Sequence, residues 1–325
     1  MKNIFVTGAS GFVGRNLCRE LRRRKLNVRA LVRNSQAQDM LESMGVHTVM
    51  GDLTDAVVMQ AGMQGCDTVF HCAGKVDEWG SVDDYYQANV VGTQNTLDAA
   101  QAAQVSCFVL VGTEAAYADG KSALVNLTEA MPLPSKPLPR YPATKAESEK
   151  RVRAANQPGF RTVVVRPRFI WGEDDSSVLE QIVQATNAGR MMWLDGGKQM
   201  TSTCHVMNLV HGMLLAAEQG QGGAAYFLSD GEPVRAREFI SAMLQQRGVT
   251  PPTKSVPLWV VKLIVASCEP LWTRLNIKRP PPANSVVLAL MGQDVTINDE
   301  LARRDLGYEP VVSREQGLQS IRVPE

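Results

Sequence analysis

The sequence predicts an α/β fold with a doubly wound parallel sheet. Three observations carry this: short β-branched runs alternate with longer amphipathic ones, the short runs are apolar almost throughout, and a glycine-rich turn joins the first strand to the first helix. Continuously apolar strands suit a sheet covered on both faces, and parallel strands joined through helices require right-handed crossovers.

In order, strands are expected at Asn3 to Thr7, Asn27 to Arg33, Val46 to Met50, Asp67 to Cys72, Ser106 to Gly112 and Arg161 to Arg166. Between them the helical spacing falls at Phe12 to Lys25, Ala37 to Met44, Ala56 to Met63, Val82 to Gln104 and Pro142 to Asn156. After about Pro167 the alternation weakens into loops, a strand at Ala225 to Leu228, and helices at Asn208 to Gln219 and Arg235 to Gln246. Residues 1–167 therefore read as one domain and 168–325 as a smaller α/β region interleaved with it. Met131 to Pro142 is rich in proline yet is followed at once by the same alternation, so an ordered loop is expected there, and Pro280-Pro281-Pro282 separates two helices.

A chain of 325 residues that is 44% hydrophobic can bury a sizeable core, which excludes disorder as a default. Lys plus Arg number 34 against 33 Asp plus Glu, a net charge of +1, so no overall field favours nucleic acid. Six cysteines without a CxxC pair and four histidines without zinc-ligand spacing predict no metal site and fit a reduced cytosol. The longest apolar run, Leu258 to Cys268, is broken by Lys262, whereas a spanning helix needs about 20 apolar residues, so no transmembrane segment is expected.

Thr7-Gly8-Ala9-Ser10-Gly11-Phe12-Val13-Gly14 stands between the first strand and the first helix. Gly8 permits the tight turn, Gly11 lets the backbone approach a pyrophosphate, and Gly14 lets helix pack on strand, while the helix start offers free N–H groups. A Rossmann-type dinucleotide site follows, with Gly8, Ser10, Gly11, Phe12, Val13 and Gly14 as its candidate contacts. An NAD site usually carries Asp or Glu at the end of the second strand, about 20 residues past the glycines, to bond the ribose 2′-hydroxyl. Here Arg33 stands there instead, and a guanidinium suits a fork onto a 2′-phosphate or a stack on the adenine, so NADP(H) is expected in preference to NAD(H).

Tyr141 and Lys145 lie at i and i+4 near the start of a predicted helix and so share one face. Pro142 fits the first turn, and Glu147 with Arg151 and Glu149 with Arg153 supply i,i+4 pairs. A Tyr hydroxyl ionises near pH 10, and a neighbouring ammonium lowers that, so Tyr141 reads as a general acid or base tuned by Lys145. Thr113, at the end of the fifth strand, is the candidate second donor to a carbonyl oxygen. A second YxxxK pattern, Tyr117 to Lys121, contains the turn signal Asp119-Gly120 and is expected to be a decoy.

Together these residues resemble the extended short-chain dehydrogenase/reductase superfamily, over nearly the whole chain. Tyr85 to Thr93 (YYQANVVGT), Arg166 to Gly172 (RPRFIWG) and His205 to Asn208 are most similar to its 3β-hydroxysteroid dehydrogenase-like branch, which includes bacterial 2-alkyl-3-oxoalkanoate reductases and sterol dehydrogenases. The resemblance implies that Asp52 and Leu53 touch the adenine, that Ala73 and Gly74 lie beneath the cofactor, that Pro167 faces the nicotinamide, and that Lys145 holds its ribose. It also implies Thr113, Tyr141 and Lys145 as the catalytic set of an oxidoreductase interconverting a secondary alcohol and a ketone on a lipophilic substrate. Gly112 and Glu114 depart from the consecutive Ser or Thr residues more usual around Thr113. Nucleotide-sugar epimerases and dehydratases, the nearest rival, usually carry Arg four residues before the position of His205 and Asp at that of Asn208; here Thr201 and Asn208 stand there. A non-catalytic dinucleotide sensor, the rival from another class, would not need the Thr113, Tyr141 and Lys145 set.

On the substrate side, Trp79, Trp171, Trp193, Trp259 and Trp272 are candidates to line an apolar pocket. Val256 to Leu275 fits a lid, a homodimer element or a peripheral membrane helix equally well. His205 is expected to be structural, and Asp174-Asp175 a solvated loop rather than a metal site.

Overall fold

The expected alternation forms in the computed structural model, which describes residues 1–76, 79–175, 178–275 and 277–321. The first half runs β1 (Asn3–Thr7), α1 (Phe12–Arg23), β2 (Asn27–Val32), α2 (Ser35–Glu42), β3 (His47–Met50), α3 (Ala56–Met63), β4 (Thr68–His71), α4 (Val82–Tyr85), α5 (Gly92–Ala102), β5 (Cys107–Val111), β6 (Leu124–Leu127), α6 (Tyr141–Ala154) and β7 (Arg161–Pro167). The second half runs β8 (Ile170–Trp171), α7 (Val178–Asn187), β9 (Trp193–Leu194), β10 (Met200–Thr201), β11 (Cys204–His205), α8 (Val206–Gln219), β12 (Ala225–Leu228), β13 (Val234–Arg235), α9 (Ala236–Gln246), β14 (Ser255–Val256), α10 (Leu258–Arg274), α11 (Ser285–Met291), β15 (Val295–Ile297), α12 (Glu300–Leu306) and α13 (Arg314–Ser320).

Seven strands form one parallel sheet in the order β12-β7-β5-β4-β1-β2-β3. Strand alternation sends Ile4 and Val6 to one face, against Leu17, Leu21, Leu209 and Met213 of α1 and α8. Phe5 points to the other, against Met59, Leu97 and Val152 of α3, α5 and α6. The two halves interleave: β12 pairs with β7 from Ala225 opposite Val164 to Leu228 opposite Pro167, and β6 pairs with β15 in a smaller sheet ordered β13-β10-β15-β6.

The helix expected from Val82 to Gln104 is interrupted. Between α4 and α5 the chain widens into a π-helical turn at Tyr86–Val91. Asn89 in that turn explains it. Its Oδ1 accepts from the Lys75 N–H at 2.6 Å and its Nδ2 donates to the Lys75 carbonyl and to Thr144 Oγ1 at 3.1 and 3.0 Å. Its own carbonyl accepts from the hydroxyls of Thr93 and Ser148 instead of relying on the α-helical ladder alone. One wide turn thereby ties the segment after β4 to α6.

α6 is fixed from below as well. Glu149 and Arg166 form a fully buried ion pair, with Arg166 Nε donating to Glu149 Oε2 at 2.9 Å. Removing one partner of such a pair strands the other charge, at a cost of about 3 to 5 kcal/mol.

Candidate active site

Sheet order reverses between β1 and β4, and ligands of open parallel sheets bind in the crevice at the carboxyl ends of the strands beside such a point. The glycine turn sits there. Gly8 has φ +68°, and a Cβ on it would lie 2.5 Å from the Ala73 nitrogen; a Cβ on Gly14 would lie 2.2 Å from the Gly8 carbonyl oxygen. Those two glycines are demanded by packing. Gly11 is different: the nearest atom to its Cβ position is the Gly8 oxygen at 3.4 Å, and both Gly11 and Ser10 are exposed. No side chain caps α1 at Gly11, so the first-turn N–H groups over Phe12, Val13 and Gly14 are available to an anion. The chain thus fits a dinucleotide pyrophosphate at this turn.

Arg33 is exposed at the end of β2 and forms no ion pair with any described carboxylate, while its neighbour Asn34 turns back to cap α2 by accepting from the Ala37 N–H at 2.9 Å. Asp52, after the adjacent β3, accepts from Thr54 N–H and Oγ1 at 3.2 and 3.3 Å, and the Leu53 carbonyl accepts from Asn95 at 2.9 Å. Ala73 and Gly74 leave β4 against the glycine turn, and a Cβ on Gly74 would lie 4.0 Å from Lys145 Nζ. Pro167 closes β7, buried opposite Leu228. The candidate cofactor residues of these loops thus stand along one edge of the sheet, at the carboxyl ends of β1, β2, β3, β4 and β7.

At the same edge stand the three candidate catalytic groups. Tyr141 is the first residue of α6, and Lys145, one turn on, donates from Nζ to the Val111 carbonyl at 2.7 Å. Thr113 follows β5; its hydroxyl accepts from the Ala115 N–H at 3.1 Å and donates to Glu114 Oε2 at 2.8 Å. Burial and the Glu114 charge push the Tyr141 hydroxyl above the ordinary tyrosine range, and the Thr113 hydroxyl beside it draws it back. Burial lowers Lys145 to about 8, against the opposing pull of Glu149. In this geometry the Lys145 ammonium donates to a backbone carbonyl, and Glu114, Thr113 and Tyr85 act on the Tyr141 hydroxyl.

Glu114, which sequence reasoning leaves without an account, is a buried anion held by Arg168. Arg168 donates to Glu114 Oε1 at 2.6 Å and to the Leu290 carbonyl at 2.5 Å. Asn89 and His71 are two further positioning residues not singled out beforehand. His71 bonds Thr7 Oγ1 at 2.7 Å and Thr93 Oγ1 at 3.0 Å, and burial, then the Lys145 charge, lowers it to about 3, so it is neutral. The available signal was a carboxylate directly after Thr113, with Arg168 as its partner in an apolar run.

Tyr117 is buried in a short 3-10 turn and donates to the Met131 carbonyl at 2.9 Å, while Asp119 accepts from the N–H groups of Lys121 and Ser122 and turns Lys121 to solvent. No helix face joins that pair. Two tryptophans offered as pocket walls are core instead: Trp171 donates to Asp230 at 2.7 Å and packs on Phe239, and Trp193 donates to the Pro252 carbonyl at 2.6 Å. Asp175 is likewise no solvated loop residue, because it is buried and accepts from the first N–H groups of α7. His205 caps α8 and packs edge-on against Trp171. Asn208 is saturated by Asp230 and by the backbone of Val311 and Val312, and buried Thr201 donates to the Ser202 carbonyl.

Comparison with known proteins agrees with this geometry. Residues 5–258 match the model of the 3-beta hydroxysteroid dehydrogenase/isomerase family. The chain belongs to that family. It is 44% identical over 318 residues to a 4-hydroxy-2-methyl-3-oxo-4-farnesyl-3,4-dihydroquinoline-1-oxide ketoreductase of Stigmatella aurantiaca, covering 98% of this chain and 95% of the relative. It is 34% identical to a 2-alkyl-3-oxoalkanoate reductase of Stenotrophomonas maltophilia, covering 98% of each. The UDP-glucose 4-epimerase of Thermotoga maritima superposes with a TM-score of 0.76 at 18% identity, covering 98% of this chain and 97% of the epimerase, and shares the fold. As a member of the family, the chain is a Rossmann-fold oxidoreductase using a nicotinamide dinucleotide and acting on hydroxyl and keto groups.

Replacing Glu114 with Gln removes a negative charge that disfavours the Tyr141 phenolate. The Tyr141 limb in the pH dependence of alcohol oxidation should therefore move to lower pH. An unchanged profile would contradict the assignment of Glu114 as the group acting on Tyr141.

Proposed function

We propose that the chain is an NADP(H)-dependent ketoreductase and alcohol dehydrogenase that works on a secondary carbon of a lipophilic substrate, of 3β-hydroxysteroid or 3-oxoacyl type. One observation supports the reading: Thr113, after the carboxyl end of β5, lies beside Tyr141 at the start of α6, with Lys145 one helical turn on. The names of the two relatives support the substrate class, since each reduces an oxo group on an alkyl or farnesyl-bearing molecule.

The dinucleotide, when bound, supplies or accepts the hydride at the substrate carbon. The residues to hold it are Gly8 to Gly14 at the pyrophosphate, Arg33 at the 2′-phosphate, Asp52 and Leu53 near the adenine, and Ala73, Gly74, Pro167 and Lys145 toward the ribose and nicotinamide. Tyr141 holds the proton that the ketone oxygen receives, and takes it back in the oxidative direction. Thr113 donates its hydroxyl proton to Glu114; to donate to the substrate oxygen it must release Glu114 Oε2. Arg168 keeps Glu114 in place while that hydroxyl turns.

Tyr141→Phe should leave NADPH affinity nearly unchanged and cut turnover by at least about a hundredfold, the scale of a lost general acid. Turnover near that of the unsubstituted enzyme would refute the role of Tyr141. Arg33→Asp should raise the KM for NADPH far more than that for NADH; equal effects on the two would remove Arg33 as the discriminating residue.

A further inference from the structure

Arg140, the residue before Tyr141, has φ +66° and ψ −117°. Those are the angles of the first corner of a type II′ turn, where glycine is the usual residue because a Cβ is crowded there. An arginine in that place is strained, and a strained residue persists only where its surroundings over-determine it.

The surroundings do so at both ends of the residue. On the backbone side, the Arg140 carbonyl accepts from the Thr144 N–H at 3.0 Å and from the Thr144 hydroxyl at 2.9 Å, which starts the ladder of α6. Thr144 is itself held by Asn89. On the other side, the buried guanidinium lies 3.8 Å over the Trp79 ring. Its Nε donates to the Gly80 carbonyl at 3.0 Å, Nη2 to Thr273 Oγ1 at 3.1 Å and Nη1 to Glu269 Oε1 at 3.4 Å. Two of these partners are tied in turn: Trp79 donates to the Ile277 carbonyl at 2.9 Å, and Glu269 accepts from the N–H and hydroxyl of Ser285 at 2.8 and 3.0 Å. A planar guanidinium can meet three acceptors and a ring face at once, which an ammonium cannot.

The consequence falls on the next residue. Lys145 and Glu149 fix α6 one and two turns further along, whereas Tyr141 is its first residue and no side chain caps the helix at Arg140. The setting of Tyr141 against Thr113 therefore follows from the backbone angles of Arg140.

We propose that Arg140 is a positioning residue for Tyr141: tethered to Trp79, Gly80, Glu269 and Thr273, it holds the glycine-like corner from which the tyrosine hydroxyl is aimed. The kinetic consequence rests on the reading of Tyr141 as the general acid; the aim of the side chain does not. A tether that merely fastened α10 to the rest of the chain would be lost equally in Arg140→Ala and Arg140→Gly. A held corner separates the two, because glycine takes a positive φ unaided and alanine does not.

The test is fluorine NMR of the full chain labelled with fluorotyrosine, the Tyr141 line being assigned by its loss in Tyr141→Phe, together with the kinetics of NADPH oxidation by an oxo steroid or oxo lipid. Arg140→Ala is expected to move the Tyr141 line while those of Tyr226 and Tyr308, packed on the opposite face of the sheet from α6, stay in place. It should lower kcat about tenfold and leave the KM for NADPH within about twofold, the mark of a misaimed group rather than a lost binding contact. Arg140→Gly should return the line and recover kcat to within about threefold. An unmoved Tyr141 line in Arg140→Ala, or an Arg140→Gly chain no nearer to the unsubstituted spectrum than Arg140→Ala, would overturn the proposal. So would an Arg140→Ala kcat equal to that of the unsubstituted enzyme where Tyr141→Phe is slow. Should Arg140→Ala not fold, Thr273→Ala, at an exposed position of α10, must by itself displace the Tyr141 line, and a line left in place would be equally fatal. A line that behaves as expected beside a Tyr141→Phe enzyme of full turnover would refute the general-acid reading and uphold the role of Arg140.

Discussion

The buried pair between Glu149 and Arg166 decides where α6 lies, and α6 carries both Tyr141 and Lys145. Glu149 sits two turns beyond Tyr141, so the clamp holds the helix against β7 while Lys145 holds it against the end of β5. Asn89 adds a third fixing point through Thr144. Each of these contacts is buried, where an unpaired partner is costly, so the geometry is over-determined rather than merely favourable. The chemistry at Tyr141 depends on a helix that cannot slide.

A second constraint is steric. Gly8 and Gly14 leave no room for a side chain, Gly8 because the turn after β1 is pressed against the backbone leaving β4, Gly14 because α1 packs on the backbone of the turn itself. Gly11 is the exception: a Cβ there would meet only the Gly8 oxygen, at 3.4 Å. Packing thus demands two of the three glycines and leaves the third open, while the buried Glu114–Arg168 pair lies near Tyr141.

Most of the parallel sheet was legible because its strands are buried on both faces and helices such as α1, expected from Phe12 to Lys25 and found at Phe12–Arg23, keep a clear apolar stripe. What was not legible depended on contacts distant in sequence. The wide turn at Tyr86–Val91 is dictated by what Asn89 reaches, and β6 has no partner until β15 arrives some 170 residues later. Trp171 and Trp193 carry the same apolar signal whether they face a pocket or a core, so composition could not sort them. That Tyr141 and Lys145 share the first turns of one helix could be read from Pro142 and the Glu147–Arg151 and Glu149–Arg153 spacings, whereas the Glu114–Arg168 pair joins residues 54 apart in sequence.

The near-zero net charge has also changed in meaning. It is a balance between a segment of +4 around α10, where residues 254–279 carry five basic side chains and one acid, and a remainder of −3, not an even distribution. The central claim remains net reduction of a ketone with net consumption of the reduced cofactor. The most direct measurement uses NADPH bearing deuterium at the transferable position of its nicotinamide with an oxo lipid or oxo steroid, followed by mass spectrometry of the product and absorbance of the cofactor. One deuterium on the new carbinol carbon, with one NADPH oxidised per product, is the predicted result; product formed without deuterium or without net NADPH consumption would contradict it.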